Sequence, residues 1–210
     1  RFAAAVMIGV FLVHLVRVLK MLVVDRDLGV LWGAASMVPQ PRDVVQLIGH
    51  MKWFVGLGPR PRFGRYTYWE KFDYWAVFWG MGIIGASGLL LWFPVFFARI
   101  VPGWFFNIAL LVHGEEALLA VGFIFTMHFF NGHLRPEKFP MDRVIFTGRI
   151  TMKEFEEERP DEYARVKAAG QLEAIGVSAP EPWVLRLGTV IGTVAVTIRS
   201  EEHTSELQSH

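Results

Sequence analysis

The 210-residue chain has no cysteine. That absence excludes thiolate-held iron–sulfur clusters, haem attached through a C-x-x-C-H motif, and disulfides within the chain. Any redox group here must be held by histidine or methionine. An excess of charge is missing too. Lys and Arg number 21 against 20 Asp and Glu, a formal net charge of +1, which gives no argument for nucleic acid as a partner. No internal repeat is visible. The chain opens at Arg1, already inside an apolar run.

What the chain has is apolar residues in blocks, 53% of the total. Blocks of this kind read as an all-α, multi-pass integral membrane protein. Spanning helices are expected over residues 2–24, 74–93 and 104–130, with a fourth begun over 183–198. Within 25–73, the spacing of Val44, Val45, Leu47, Ile48 and Met51 predicts an amphipathic helix over 42–55, lying on a membrane surface. The Gly-Pro-rich run 56–64 ends it. Residues 134–182 are polar and read as a cytoplasmic connection, in which Thr151 caps a short acidic helix and Gly170 stops it. The tail 199–210, RSEEHTSELQSH, turns polar in mid-helix and resembles the translation of a sequencing-library adapter. It is set apart from fold reasoning, and the fourth helix is expected to be truncated there. Without the tail the net charge rises to +3. Basic residues crowd 25–73 and the stretch from Arg135 to Lys153, while only Arg99 lies between the second and third spans. The crowded segments should therefore face the cytoplasm, and the turn near Arg99 should face outward.

Histidine is costly in lipid because its ring needs a partner. His14 lies on the first apolar stretch, His113 and His128 on the third. The last two are fifteen residues apart, about 22 Å along an α-helix and ~60° apart around it. They should point to broadly the same side near opposite membrane faces, which suits two stacked redox centres. His128 is expected to face His14. Bis-imidazole ligation of a b-type haem needs two such rings at one depth. His133 reads as interfacial, and His50, on the surface helix, as solvated or interfacial. Glu115 and Glu116 are carboxylates well inside the third stretch, where a functional role is the default. They suit proton transfer or contact with the outer group. The plainer alternative is an aqueous face or a basic neighbour. Gly80, Gly82, Gly85 and Gly88 favour close helix packing over room for a flat macrocycle. Gly64–Asp73, with Tyr66, Glu70 and Lys71, suits a quinone headgroup. Ordinary juxtamembrane anchoring explains the same residues.

The order GRYTYWEKFDYWAVFWG, GLLLWFP, LLVHGEEALLAVGFIFTMHFF and RPEKFPMD resembles the di-haem cytochrome b (gamma) subunits of formate dehydrogenases. The wider group includes thiosulfate reductase and Ni–Fe hydrogenase b-type cytochromes. The resemblance covers Arg1 to about Gly170 and is most specific over Gly64–Asp142. It implies an up-and-down transmembrane four-helix bundle in the bacterial inner membrane, here truncated at both ends. It also implies two b haems and exchange of electrons with quinone or menaquinone. Peripheral iron–sulfur, molybdenum or multihaem cytochrome subunits would partner the chain and carry the substrate chemistry. The resemblance puts axial ligands at His113 and His128, in a family whose spacing is usually one residue shorter. It puts the outer partner before Arg1 and often takes the inner one from a preceding helix, a rival to His14. A haem-free anchor that docks peripheral subunits is the alternative. A secondary transporter would want broken helices.

Overall fold

The computed structural model describes residues 1–136 and 138–208, with the side chains of 199–208 outside the description. The described residues contain helices and connections and no strand. The order is α1 (Phe2–Val23), α2 (Gly29–Trp32), α3 (Pro41–Phe54), α4 (Tyr68–Trp92), α5 (Pro94–Phe97), α6 (Trp104–Phe123), α7 (Val144–Thr147), α8 (Met152–Glu158), α9 (Pro160–Ala168), α10 (Leu172–Ile175) and α11 (Pro182–Gln208). Two π-helical turns, Ile124–His128 and Phe130–Leu134, carry α6 onward. Three stretches are long and apolar enough to cross a membrane: Phe2–Val23, Tyr68–Trp92 and Trp104–Leu134, of 22, 25 and 31 residues. A bilayer core needs about 20 residues of α-helix. Their large apolar side chains point outward: Val10, Leu110 and Leu118 are each more than 60% exposed. That suits lipid as solvent and would be a liability in water. Pro182–Ile198 is apolar but shorter, and α11 continues to Gln208. The adapter-like character of 199–210 lies in side chains outside the described residues.

Two boundaries differ from expectation. The second span starts at Tyr68 rather than near residue 74. Thr67-x-x-Glu70 forms a capping box there. The Glu70 carboxylate accepts from the Thr67 amide and hydroxyl, both at 2.8 Å, and Thr67 Oγ1 accepts from the Glu70 amide. This satisfies donors that a helix start otherwise leaves orphaned. The third span runs past Phe130 to Leu134, and beyond Phe123 it is no longer α-helical. A π turn bonds i to i+5 and holds more residues. The ~100° rotation per residue that placed His128 about 60° from His113 therefore stops applying at Phe123, and that offset is corrected.

The chain folds as two compact units. The first comprises Arg1–Leu118 with Phe155–Gly170, and the second comprises Leu119–Glu154 and the chain from Gln171 onward. In the first, Phe11 meets Phe78 edge-on at 5.3 Å between α1 and α4. At the N-terminal end of α4, α3 and α9 build a polar clasp. Lys71 is 1% exposed and places Nζ 3.0 and 2.8 Å from the two Asp43 oxygens. Asp43 also caps α3, accepting from the Gln40 amide. Arg159 donates to Glu70 at 2.7 Å, and Arg165 grips Glu162 with two nitrogens. That grip, with burial working against it, holds the Glu162 carboxyl below the usual carboxylate range and raises Arg165 further. As expected, α3 ends into Gly56, at φ 74°. In the second unit, Gly188 and Gly192 of α11 give way to Phe146 and Met141. A Cβ on Gly188 would lie 3.0 Å from the Phe146 ring. Thr151 Oγ1 accepts from the Glu154 amide at 3.1 Å, the cap expected from sequence. Gly170 adopts φ 66°, the left-handed stop. Between those two points the helix is broken at Arg159 by Pro160.

Candidate functional site: a histidine seat on apolar helices

His113 sits where α6 crosses α4. Gly88 makes the approach possible: a Cβ there would lie 3.1 Å from His113 Cε1. One turn deeper on the same α6 face, Glu116 Oε1 lies 4.0 Å from where a Gly80 Cβ would be. Gly88 does the close packing anticipated for it, whereas Gly80 makes only this loose contact and Gly82 has nothing within 4 Å of its Cβ position. Gly85 does something else. It has nothing within 4 Å of its Cβ position and lines a cavity of about 310 Å³ with His113, Gly88, Ile84, Met7 and Ile8. The cavity is walled by α1 and α4, and its polar side chains are the imidazole, the Trp92 indole and Arg1.

The imidazole is oriented by one side chain. Ser87 is 8% exposed, and its Oγ lies 2.6 Å from the Ile83 carbonyl and 3.0 Å from His113 Nδ1. A serine hydroxyl has one proton, and the shorter contact takes it. Oγ then accepts from Nδ1–H, and in the neutral form of the ring this makes Nε2 the nitrogen without a proton. No hydrogen-bond partner for Nε2 is found among the described residues. A neutral ring with Nδ1–H engaged and Nε2 free is the form that ligates metals. An apolar-walled cavity bounded by an available imidazole and by glycine backbone is compatible with one side of a haem. A second imidazole does not line it, since α1 contributes Ala4, Met7 and Ile8 to the wall but not His14.

The other predicted residues are distributed as follows. His14 Nε2 is 2.9 Å from the Tyr74 hydroxyl, with Tyr74 and Phe78 edge-on around the ring. The nitrogen that would ligate is thus engaged by α4. His128 closes a π turn and is exposed, without a partner among the described residues. Glu115 is exposed and Glu116 half-buried; neither is hydrogen-bonded or ion-paired within the described residues. Tyr66 takes the Arg65 guanidinium over its ring at 5.7 Å. Glu70 and Lys71 are bound into the clasp. Among the described residues no group of three or more His, Asp and Glu is arranged to hold a bare metal ion.

One histidine differs from its sequence reading, and a second has partners the sequence did not show. His50 is buried, not solvated, at 9% exposure. It stacks on Phe54 at 4.6 Å, touches Phe63 and Trp69, and shares a hydrogen bond with Tyr68 at 3.0 Å. Burial first, and Arg60 second, hold its pKa below the ordinary histidine value. His133 is locked as His113 is: Nδ1–H donates to the Pro140 carbonyl at 3.1 Å, and the ring stacks on Phe129 at 4.4 Å. Asn131-Gly132-His133 gives no sequence signal for this, because the acceptor comes from a bend seven residues on.

The fold thus defines an all-helical protein with three helices able to cross a membrane. No protein-family model, curated protein or solved structure matches the chain.

Proposed function

We propose that the chain is the membrane cytochrome b subunit of a respiratory oxidoreductase, of the di-haem four-helix type. It would carry electrons between a quinone pool and peripheral subunits. The observation that carries this reading is the His113 seat, with Nδ1–H fixed, Nε2 free, and a glycine-walled apolar cavity beside it. A bound b haem supplies reversible one-electron transfer. The chain's part is to present the imidazole, exclude water with apolar helix faces, and hold charge nearby. His113 is the outer ligand in this reading and His128 the inner one. The π turn Ile124–His128 supports the latter, because a wider turn absorbs one extra residue between the two histidines. His14 is the weaker inner candidate, since it would first have to release Tyr74. Glu70 and Lys71 spend their charges on Arg159 and Asp43. That favours Glu115 and Glu116 for proton work and leaves Tyr66 as the aromatic candidate beside a quinone.

The test is a reduced-minus-oxidised absorption spectrum of the membrane-embedded protein, with haem counted per chain. Two b haems are expected, and His113→Ala should leave one. Both haems surviving His113→Ala would sink the ligand assignment. No haem in the unmodified protein would put the haem-free docking anchor in its place.

A further inference from the structure

Ser87 is the α4 side chain that hydrogen-bonds the imidazole of α6, and Gly88, its neighbour, is the residue the ring rests on. From this pair we infer that Ser87 is the positioning residue for His113: it fixes the tautomer and aim of the ring so that Nε2, and not Nδ1, faces the cavity. The inference rests on the haem reading and deepens it.

The geometry makes the assignment directional. Ser87 Oγ–H is committed to the Ile83 carbonyl at 2.6 Å, with Ile84 O as a longer second acceptor at 3.3 Å. The hydroxyl therefore has a lone pair, not a proton, to offer Nδ1 at 3.0 Å. The relay runs from Nδ1–H to Oγ and from Oγ–H to a helix carbonyl, and each bond polarises the next. Accepting the hydrogen bond from Nδ1–H makes the ring a stronger electron donor at Nε2. Loss of such an outer partner typically costs ~10–100-fold in metal affinity. A helix-packing bond of the same length would affect assembly but not the electronics of a bound iron. Gly88 adds a steric half to the seat: with a Cβ 3.1 Å from Cε1, the ring would have to shift by a few tenths of an ångström.

The test uses the whole protein in membranes, with a redox titration followed by absorption. Ser87→Ala should weaken retention of the His113-dependent haem about tenfold, relative to Ser87→Thr, which keeps the hydroxyl. It should also raise that haem's midpoint potential, because a less basic imidazole favours the ferric state less. A tenfold change in that preference corresponds to about 59 mV for one electron. The other haem should not move. If Ser87→Ala fails to assemble, Ser87→Cys is read the same way, its weak sulfur acceptor giving a smaller rise in the same direction. Retention and potential at unmodified values in Ser87→Ala or Ser87→Cys, while His113→Ala removes the haem, would overturn the role of Ser87 and leave the haem reading intact. Two haems persisting in His113→Ala would instead remove the reading beneath it.

Discussion

The clasp at the start of α4 and the seat further along it use similar polar residues in opposite ways. In the clasp, Asp43, Lys71, Thr67, Glu70 and Arg159 are turned on one another, and each carboxylate meets at least two donors. In the seat, His113 has one nitrogen engaged and one free, and Glu116 lies against Gly80 without a partner among the described residues. Burial of a charge is costly unless it is paired and hydrogen-bonded, so carboxylates satisfied in this way are what a stable junction looks like, even with Arg159 Nη1 left buried without a partner among the described residues. An available nitrogen on an apolar helix contributes nothing to stability by being free. On the proposed reading, the difference separates residues that hold the protein together from residues placed to receive something, and it can be broken experimentally on the clasp side.

The largest expected effect is at the buried pair. Lys71→Met leaves Asp43 buried with its charge uncompensated and should destabilise the protein by about 3–5 kcal/mol. Lys71→Met with Asp43→Leu removes both charges and should recover much of that loss. Denaturant midpoints in detergent measure both. If Lys71→Met left the midpoint unchanged yet slowed quinol-dependent electron transfer, Lys71 would belong with the seat, and the comparison would fail at its strongest point.

Next in size is the helix start. Thr67→Ala removes one half of the capping box and should cost roughly 0.5–2 kcal/mol. The first turn of α4 should become more open to amide exchange, while on the haem reading the haem count per chain stays the same. A lost haem with unchanged exchange at residues 68–71 would mean that the box shapes the site and not the junction.

Much of this was legible in the chain and some was not, for physical reasons. The three spans follow from long apolar runs, and the surface helix from its periodicity. The Thr67-x-x-Glu70 box was also written in the sequence. Reading the span from its apolar content alone starts it six residues late, because the first turns of α4 hold Glu70, Lys71 and Asp73. The π turns carry no composition signal at all. They depend on how the backbone of one helix relaxes over Ile124–Leu134. His113 was visible as a histidine in an apolar run, but Ser87, which aims it, lies 26 residues away on another helix. Only the crossing of α4 and α6 makes them neighbours. His50 misleads in the same way: its aromatic cage is drawn from α3, the 56–64 loop and the start of α4.

That cage supplies the smallest test and the finest one, since His50 and His113 are both histidines held by a neighbour's hydroxyl. Burial and Arg60 depress the pKa of His50, so the folded state favours the neutral ring. A group with a depressed folded pKa contributes its stability above the unfolded value, here about 6.5, and loses it as pH falls through the folded value. The melting temperature should therefore decline as pH drops below that point. His50→Phe, which cannot titrate and suits the aromatic cage, should flatten this part of the curve. Glu162 does the same at more acidic pH. Its carboxyl is depressed by Arg165, so its contribution holds above about 4.5 and is lost below it. If His50→Phe left the slope unchanged, the titrating group would lie elsewhere. If it also altered the haem spectrum, the clasp and the seat would be coupled, and the division between residues that hold and residues that receive would have to be redrawn at α4, the helix that carries both.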